Sequence, residues 1–246
     1  GLAFTLKELA DMAVVGTSVV KGMVKLGAVS EEFAPRDTAY PRLDPDYGGK
    51  ELTADQAAGA EVLAQAVASG TYGTTLLKGV TGSGKTEVYL EAVAACLRAG
   101  RQALVLLPEI ALTGEFLDRV EARFGQRPAE WHSGVTQTER RRCWRMVGQG
   151  DADLVVGARS ALFLPYRDLG LIVVDEEHDT SYKQEDGVLY NARDMAVLRA
   201  AGNGTQVVLA SATPSLESWA NVEAGKYRRL ELKSRFGPAV MPKMSA

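Results

Sequence analysis

Gly79-Val80-Thr81-Gly82-Ser83-Gly84-Lys85-Thr86 matches the pattern G-x-x-x-x-G-K-[ST] in full, and few eight-residue runs restrict a fold so strongly. The pattern functions only where a buried strand ends, wraps back as a loop and opens a helix. The apolar run Thr74–Leu77 precedes it, and a helical pattern at about 85–99 follows. Glycines let the backbone N–H groups turn towards phosphate oxygens, and the helix N-terminus adds partial positive charge. Lys85 is expected to reach the β- and γ-phosphates and the Thr86 hydroxyl to ligate magnesium. Gly79, Thr81, Gly82, Ser83, Gly84 and Glu87 complete the expected nucleotide-binding set, with ATP and Mg2+ as cofactors. A glycine-rich turn with an incidental lysine is the competing reading, and the strand–loop–helix context disfavours it.

The rest of the 246 residues supports that context. Ala103–Leu107, Leu154–Val156, Leu171–Val174 and Val207–Ala210 are further short apolar runs suited to buried parallel strands. Helical patterns at about 113–124, 136–148 and 191–202 lie between them. This alternation predicts an α/β fold, a doubly wound parallel sheet of the P-loop, RecA-like kind. Hydrophobic residues make up 46% and charged residues 24%, the balance of an ordinary globular chain. No apolar run approaches the ~20 residues of a membrane span, and no signal-peptide pattern is present. The two cysteines, Cys96 and Cys143, lack C-x-x-C spacing, which points to a reducing compartment and a cytoplasmic location. With a formal net charge of -3, nucleic acid would have to be held by local clusters and backbone amides.

The first residues have a different texture. Thr5-Leu6-Lys7-Glu8 is a capping-box pattern, and Leu6, Leu9, Ala10 and Ala13 recur at helical spacing. Thr17-Ser18 caps a second helix carrying Val19, Val20, Met23, Val24 and Leu26, stopped by Gly27. Ala28 to Phe33 is predicted to be a strand running into the Pro35 turn. Two helices and a short hairpin outline a winged helix over 1–43. A small helical module packing on a neighbour is the competing reading, because acids such as Glu8, Asp11 and Glu31 offset the lysines and arginines. Residues 44–50, with Pro45 and two glycines, read as a linker, 51–233 as the nucleotide-binding lobe, and 234–246 as a tail. The start at Gly1-Leu2-Ala3 without Met suggests a fragment of something longer.

Leu171-Ile172-Val173-Val174 runs into Asp175-Glu176-Glu177-His178. In an open parallel sheet the carboxyl end of a strand is where a ligand lies. Asp175 is expected to hold magnesium and Glu176 to polarise an attacking water. Ser211-Ala212-Thr213 follows Val207–Ala210 and is expected at the same sheet edge. There Ser211 and Thr213, with His178, would report the state of the nucleotide.

Together, Gly79–Thr86, Asp175–His178 and Ser211–Thr213 resemble motifs I, II and III of a superfamily-two helicase of the DEAH-like kind. Leu52-Thr53-x-x-Gln56 is similar to the adenine-reading Q-motif, with Gln56 as the expected adenine contact. The wording Leu107-Pro108-Glu109-Ile110-Ala111-Leu112-Thr113, Gly157-Ala158-Arg159-Ser160-Ala161-Leu162-Phe163 and Ser211-Ala212-Thr213-Pro214-Ser215-Leu216-Glu217-Ser218 resembles the PriA family of replication-restart helicases. The resemblance implies a motor moving 3' to 5' on single-stranded DNA. It also implies action on stalled or repaired forks in the bacterial nucleoid, with primosome proteins and single-strand binding protein as partners. It implies DNA contacts from Glu109, Thr113, Arg159 and Ser160, and from Tyr182 and Lys183 in a loop beside Asp175–His178. An aromatic that merely anchors that loop is an equal alternative for Tyr182. Asn191 stands where the family carries histidine. The family's zinc module, N-terminal DNA-end-binding domain and second lobe with its arginine finger are not legible here, so slow hydrolysis by this chain alone is expected. The basic run Arg140-Arg141-Arg142 with Arg145 reads as a solvated helix face, and His132 is given no catalytic role. Two other classes compete: an assembly module whose ATP site is little used, and an unrelated P-loop kinase.

Overall fold

Residues 6–30 and 38–233 are described by a computed structural model of the chain. The chain divides into two compact units, Gly1–Thr38 and Ala39–Ala246.

In the first unit, α1 (Leu6–Met12) and α2 (Thr17–Lys25) contact each other. α2 ends as its sequence requires. Gly27 takes φ +70, and Gly27 and Ala28 return their N–H groups to the carbonyls of Val24 and Met23. The predicted Thr5 cap and most of the predicted hairpin lie outside the described residues. Of the strand expected over Ala28–Phe33, the described part, 28–30, is a bend and irregular chain instead. The helix stop at Gly27 still holds the Ala28 N–H on the Met23 carbonyl.

In the second unit, β1 (Gly73–Gly79), β2 (Gln102–Leu106), β3 (Ala129–Trp131), β4 (Leu154–Gly157) and β5 (Leu169–Asp175) are joined by β8 (Gln206–Ser211) and β9 (Arg228–Leu232). They form one sheet in the order β3-β4-β2-β5-β8-β1-β9, every neighbouring pair parallel. The two-residue strands β6 (Lys183–Gln184) and β7 (Tyr190–Asn191) make a separate antiparallel pair. The helices of this unit are α3 (Ala54–Ala68), α4 (Lys85–Arg98), α5 (Gly114–Phe124), α6 (Gln137–Gln149), α7 (Ala192–Asn203) and α8 (Leu216–Glu223). Side chains alternate across the strands, so the sheet sorts its core into two layers. Leu77, Val105, Val173 and Val208 join Leu63, Val88, Val93 and Phe124 of α3, α4 and α5 on one face. Leu76, Leu104, Ile172 and Leu209 join Cys143, Met146 and Ala196 of α6 and α7 on the other. Helices on both faces make this the doubly wound, RecA-like sheet predicted from the alternation. Each leucine buried this way contributes about 1.5–3 kcal/mol.

Residues 44–50 turn through 45–47 and are not a free linker. Arg98 binds Asp46 at 2.6 Å, Arg123 donates to the Pro45 carbonyl at 2.9 Å, and the Asp44 N–H donates to the Phe124 carbonyl at 3.0 Å. The strap begins earlier still. The Tyr40 hydroxyl donates to Glu139 at 2.6 Å, and Leu43 is buried in the α3–α5 core. Proline and glycine gave the segment a linker's composition. Its Pro45 carbonyl and Asp44 N–H are satisfied by groups of α4 and α5, which composition does not register.

Arg140 and Arg142 leave α6 in different directions, as their spacing requires. Arg140 donates to the His132 carbonyl at 2.7 Å, while the Arg142 guanidinium lies 4.1 Å from the Tyr40 ring.

Candidate functional site

β1 ends at Gly79, and α4 begins at Lys85 with Gly84 as its N-cap. Between them the chain turns through Gly82 at φ +79 and Gly84 at φ +83, backbone angles that glycine adopts without strain. Lys85 is buried, and its Nζ donates to the Gly79 carbonyl at 2.9 Å. The loop is thereby closed across its own mouth. Ser83 Oγ is buried and has no hydrogen-bond partner in the protein.

Gln56 lines the cavity that the phosphate loop borders and also braces the loop. It is the third residue of α3 in a capping box with Thr53. Its Oε1 accepts from the Thr53 N–H at 3.0 Å, and its Nε2 donates to the Ser83 carbonyl at 2.9 Å. Both ends of the amide are engaged and the residue is 3% exposed. Gln56 therefore pins the phosphate loop to α3 from a position on the cavity wall.

Gln56 from α3, Thr81, Lys85 and Thr86 from the loop side, and Asp175 and Glu176 at and just past the end of β5 line one cavity of about 380 Å³. Glu87 stands at its wall with Lys50 at 3.0 Å and Arg119 at 3.9 Å. Burial would raise the Glu87 carboxyl, but the hydrogen bond from Lys50 and the charge of Arg119 hold it below its ordinary range. Asp175 is shifted the other way. Burial raises its carboxyl, opposed by the Tyr89 hydroxyl, which donates to Oδ2 at 2.8 Å. The same geometry pushes the fully buried Tyr89 phenol up, by burial first and by the nearby carboxylate second. Tyr89 had no assigned role in the sequence, although it lies one helical turn beyond Thr86 and so faces the same way.

Glu176 takes φ +45. A side-chain-bearing residue in this region carries about 1–3 kcal/mol of strain, a feature concentrated at functional sites. His178 Nδ1 lies 3.6 Å from Glu176 Oε2 and 2.8 Å from Ser211 Oγ, and Ser211 Oγ in turn accepts from the Thr213 N–H at 3.0 Å. The three residues expected to couple nucleotide state are thus one connected group beside Glu176.

Glu177 is the residue that sequence reasoning passed over. Its side chain is fully buried and accepts from the Ser215 N–H at 2.7 Å, Ser215 Oγ at 2.9 Å and Ser218 Oγ at 2.8 Å. Arg193 approaches at 3.4 Å. Three consecutive acids gave no sign of which one turned inward.

The residues expected to touch DNA divide. Glu109 sits exposed in the turn after β2, and Thr113 caps α5 by accepting from the Phe116 N–H. Arg159 follows β4 and donates to the carbonyls of Ser181 at 3.0 Å and Lys183 at 2.8 Å, which brings it beside Lys183. Lys183 pairs with Glu185 at 3.1 Å, and Ser160 accepts from Trp131 Nε1 at 3.1 Å. Tyr182 is the exception. It is 1% exposed, and its hydroxyl lies 2.6 Å from the Asp175 carbonyl and 3.0 Å from that of Leu106. The ring belongs to the core and cannot stack on a base. The anchoring alternative describes it.

The Thr86 hydroxyl and Asp175, lining the same cavity, offer a hydroxyl and a single carboxylate. That donor set suits Mg2+, which keeps several waters and phosphate oxygens and takes few protein ligands. Among the described residues no group of three or more His, Cys, Asp or Glu could hold a metal ion.

Residues 56–222 match the family model "DEAD/DEAH box helicase". The chain is 39% identical over 247 residues to the replication restart protein PriA of Bacillus subtilis (strain 168), covering 100% of this chain and 31% of that protein. It is 49% identical over 168 residues to the replication restart protein PriA of Rickettsia felis, covering 68% of this chain and 26% of that protein. The chain therefore spans about a third or less of the length of these relatives. Among solved structures it resembles RecG bound to a three-way DNA junction, with a TM-score of 0.58 and 22% identity over 78% of this chain and 25% of that one. That likeness speaks for the fold alone. Phosphate loop, acidic strand end, sheet order and sequence kinship agree: the chain belongs to the DEAD/DEAH box helicase family, and its kin within that family are the PriA replication restart proteins.

Proposed function

We propose that this chain is the first motor lobe of a replication-restart DNA helicase that uses ATP and Mg2+ to move 3' to 5' on single-stranded DNA at stalled or repaired forks. The observation that supports it most is the meeting of Lys85, Thr86, Asp175 and Glu176 around one cavity. In this reading Lys85 exchanges the Gly79 carbonyl for β- and γ-phosphate oxygens. Thr86 and Asp175 hold magnesium, which neutralises phosphate charge. Glu176 orients the attacking water, and His178, Ser211 and Thr213 carry the change away from the site. On loops after β2, β4 and β5, the backbone amides around Glu109, the hydroxyls of Thr113 and Ser160, and the cations Arg159 and Lys183 grip the DNA backbone without reading sequence. The helices α1 and α2 belong to a small module of their own that precedes the motor lobe, and the longer protein supplies a second lobe with the arginine finger. Zinc belongs to the longer protein, as do contacts with primosome proteins and single-strand binding protein in the nucleoid.

The test is ATP hydrolysis by this chain with and without forked DNA, beside Lys85→Ala. Slow hydrolysis, abolished in the variant and accelerated when the full-length protein is used, is the expected result. Hydrolysis that persists in Lys85→Ala refutes the site. A full-length protein that unwinds forks equally well with Lys85→Ala points instead to an assembly module whose ATP site is little used.

A further inference from the structure

Glu176 is one of two non-glycine residues with positive φ among the described residues, and such a conformation persists only where its surroundings over-determine it. Both peptide planes flanking Glu176 are held. The plane before it is fixed through the Asp175 carbonyl, which accepts from the Tyr182 hydroxyl at 2.6 Å, and through the Glu176 N–H, which donates to Asp175 Oδ1 at 3.0 Å. The plane after it is fixed through the Glu176 carbonyl, which accepts from the Asp179 N–H at 2.8 Å, and through the Glu177 N–H, which donates to the Ala210 carbonyl at 3.0 Å.

That second plane continues directly into the most completely enclosed carboxylate of the site. Glu177 Oε1 accepts from the Ser215 N–H, while Oε2 accepts from the hydroxyls of Ser215 and Ser218 and faces Arg193. Arg193 also donates to Ser215 Oγ at 2.7 Å, which closes the group into a ring. The partners come from the start of α7 and the start of α8, consecutive helices joined through β8. Glu177 does not line the nucleotide cavity, so its charge does not serve phosphate or magnesium. A buried carboxylate with a dedicated shell of donors is held rigidly, because every displacement leaves a charge or a hydroxyl unpaired.

We propose that Glu177 is a positioning residue for Glu176. Clamped by Arg193, Ser215 and Ser218, it fixes the peptide that follows Glu176 and so aims the strained residue's carboxylate into the cavity. This rests on the reading of Glu176 as the water-orienting group.

The clamp is tested by steady-state ATP hydrolysis in the full-length protein for wild type, Glu177→Gln, Ser218→Ala and Glu176→Gln. Affinity for a fluorescent ADP analogue with Mg2+ and the melting temperature are measured alongside. In Glu177→Gln the amide satisfies the Ser215 N–H but turns a donor towards two hydroxyls and Arg193. Its kcat is expected to fall at least tenfold and towards about a hundredfold, with nucleotide affinity within twofold of wild type. Ser218→Ala removes one donor and is expected to lower kcat about threefold, again without a change in affinity. It carries the test alone if Glu177→Gln does not fold. Unchanged kcat, or affinity that falls in step with kcat, overturns the proposal. If Glu176→Gln is inactive while the clamp variants keep full kcat, only the positioning role fails. If Glu176→Gln hydrolyses ATP at the wild-type rate, the reading of Glu176 fails and the positioning role with it.

Discussion

Replacing Gly84 with alanine separates two reasons for glycine in the phosphate loop. At φ +83 an added Cβ meets its own backbone, at about 1–2 kcal/mol for an L-residue in the left-handed region. The same Cβ also collides with Gln56 Nε2, and Gln56 is enclosed with both amide ends engaged. Displacing it breaks the bond to the Ser83 carbonyl, worth about 1 kcal/mol. Gly84→Ala should therefore cost about 2–3 kcal/mol, a drop of roughly 5–10 °C in melting temperature for a unit of this size. In a Gln56→Ala background the obstacle is already gone, and only the backbone part, about 1–2 kcal/mol, should remain. Urea unfolding of the wild type, the two single variants and the double variant yields the coupling directly, expected near 1 kcal/mol. Equal costs in both backgrounds would show that Gln56 does not brace the loop. A Gly84→Ala cost below about 0.5 kcal/mol would refute the left-handed N-cap itself.

Tyr89→Phe removes the hydroxyl that orients Asp175. It should raise the Mg2+ concentration needed for nucleotide binding several-fold, read from titrations at fixed fluorescent ADP, with little change in the fold. Tyr182→Phe removes the one buried donor that the Asp175 and Leu106 carbonyls share and should cost about 1–3 kcal/mol in urea unfolding. A surface tyrosine would cost nothing measurable. Burial pushes the thiols of Cys96 and Cys143 up to about 12. At pH 8 both stay protonated and enclosed, so a disulfide reagent should label neither until denaturant is added and both afterwards.

What the sequence disclosed was governed by local rules. Gly79–Thr86, the strand ending at Asp175 and helices opening at Lys85 and after Thr113 are each written in a few contiguous residues, and each is in place. α3 was missed because Ala54–Ala68 is alanine-rich and lacks a clear apolar stripe. β3 and β9 were missed because edge strands are short or charged. The burial of Tyr182 and the bracing of the phosphate loop by Gln56 went unseen for one common reason. Their polar atoms are satisfied by carbonyls of Leu106, Asp175 and Ser83, contacts that exist only once the sheet has formed. The orientation of Glu177 likewise depends on the left-handed turn at Glu176, which no spacing of acids announces.

The position of β1 has a consequence for biosynthesis. It is flanked in the sheet by β8 and β9, and its register pairs Gly73 with Gln206. On a ribosome adding about 5–20 residues per second, the roughly 130 intervening residues take about 7–26 s to appear. Throughout that interval Leu76 and Leu77, fully buried at the end, have no strand beside them. The phosphate loop hanging from β1 is thus among the first parts of the lobe to be translated and among the last to reach its final shape. A nascent chain halted before Gln206 would present an apolar strand to chaperones and would not retain ATP.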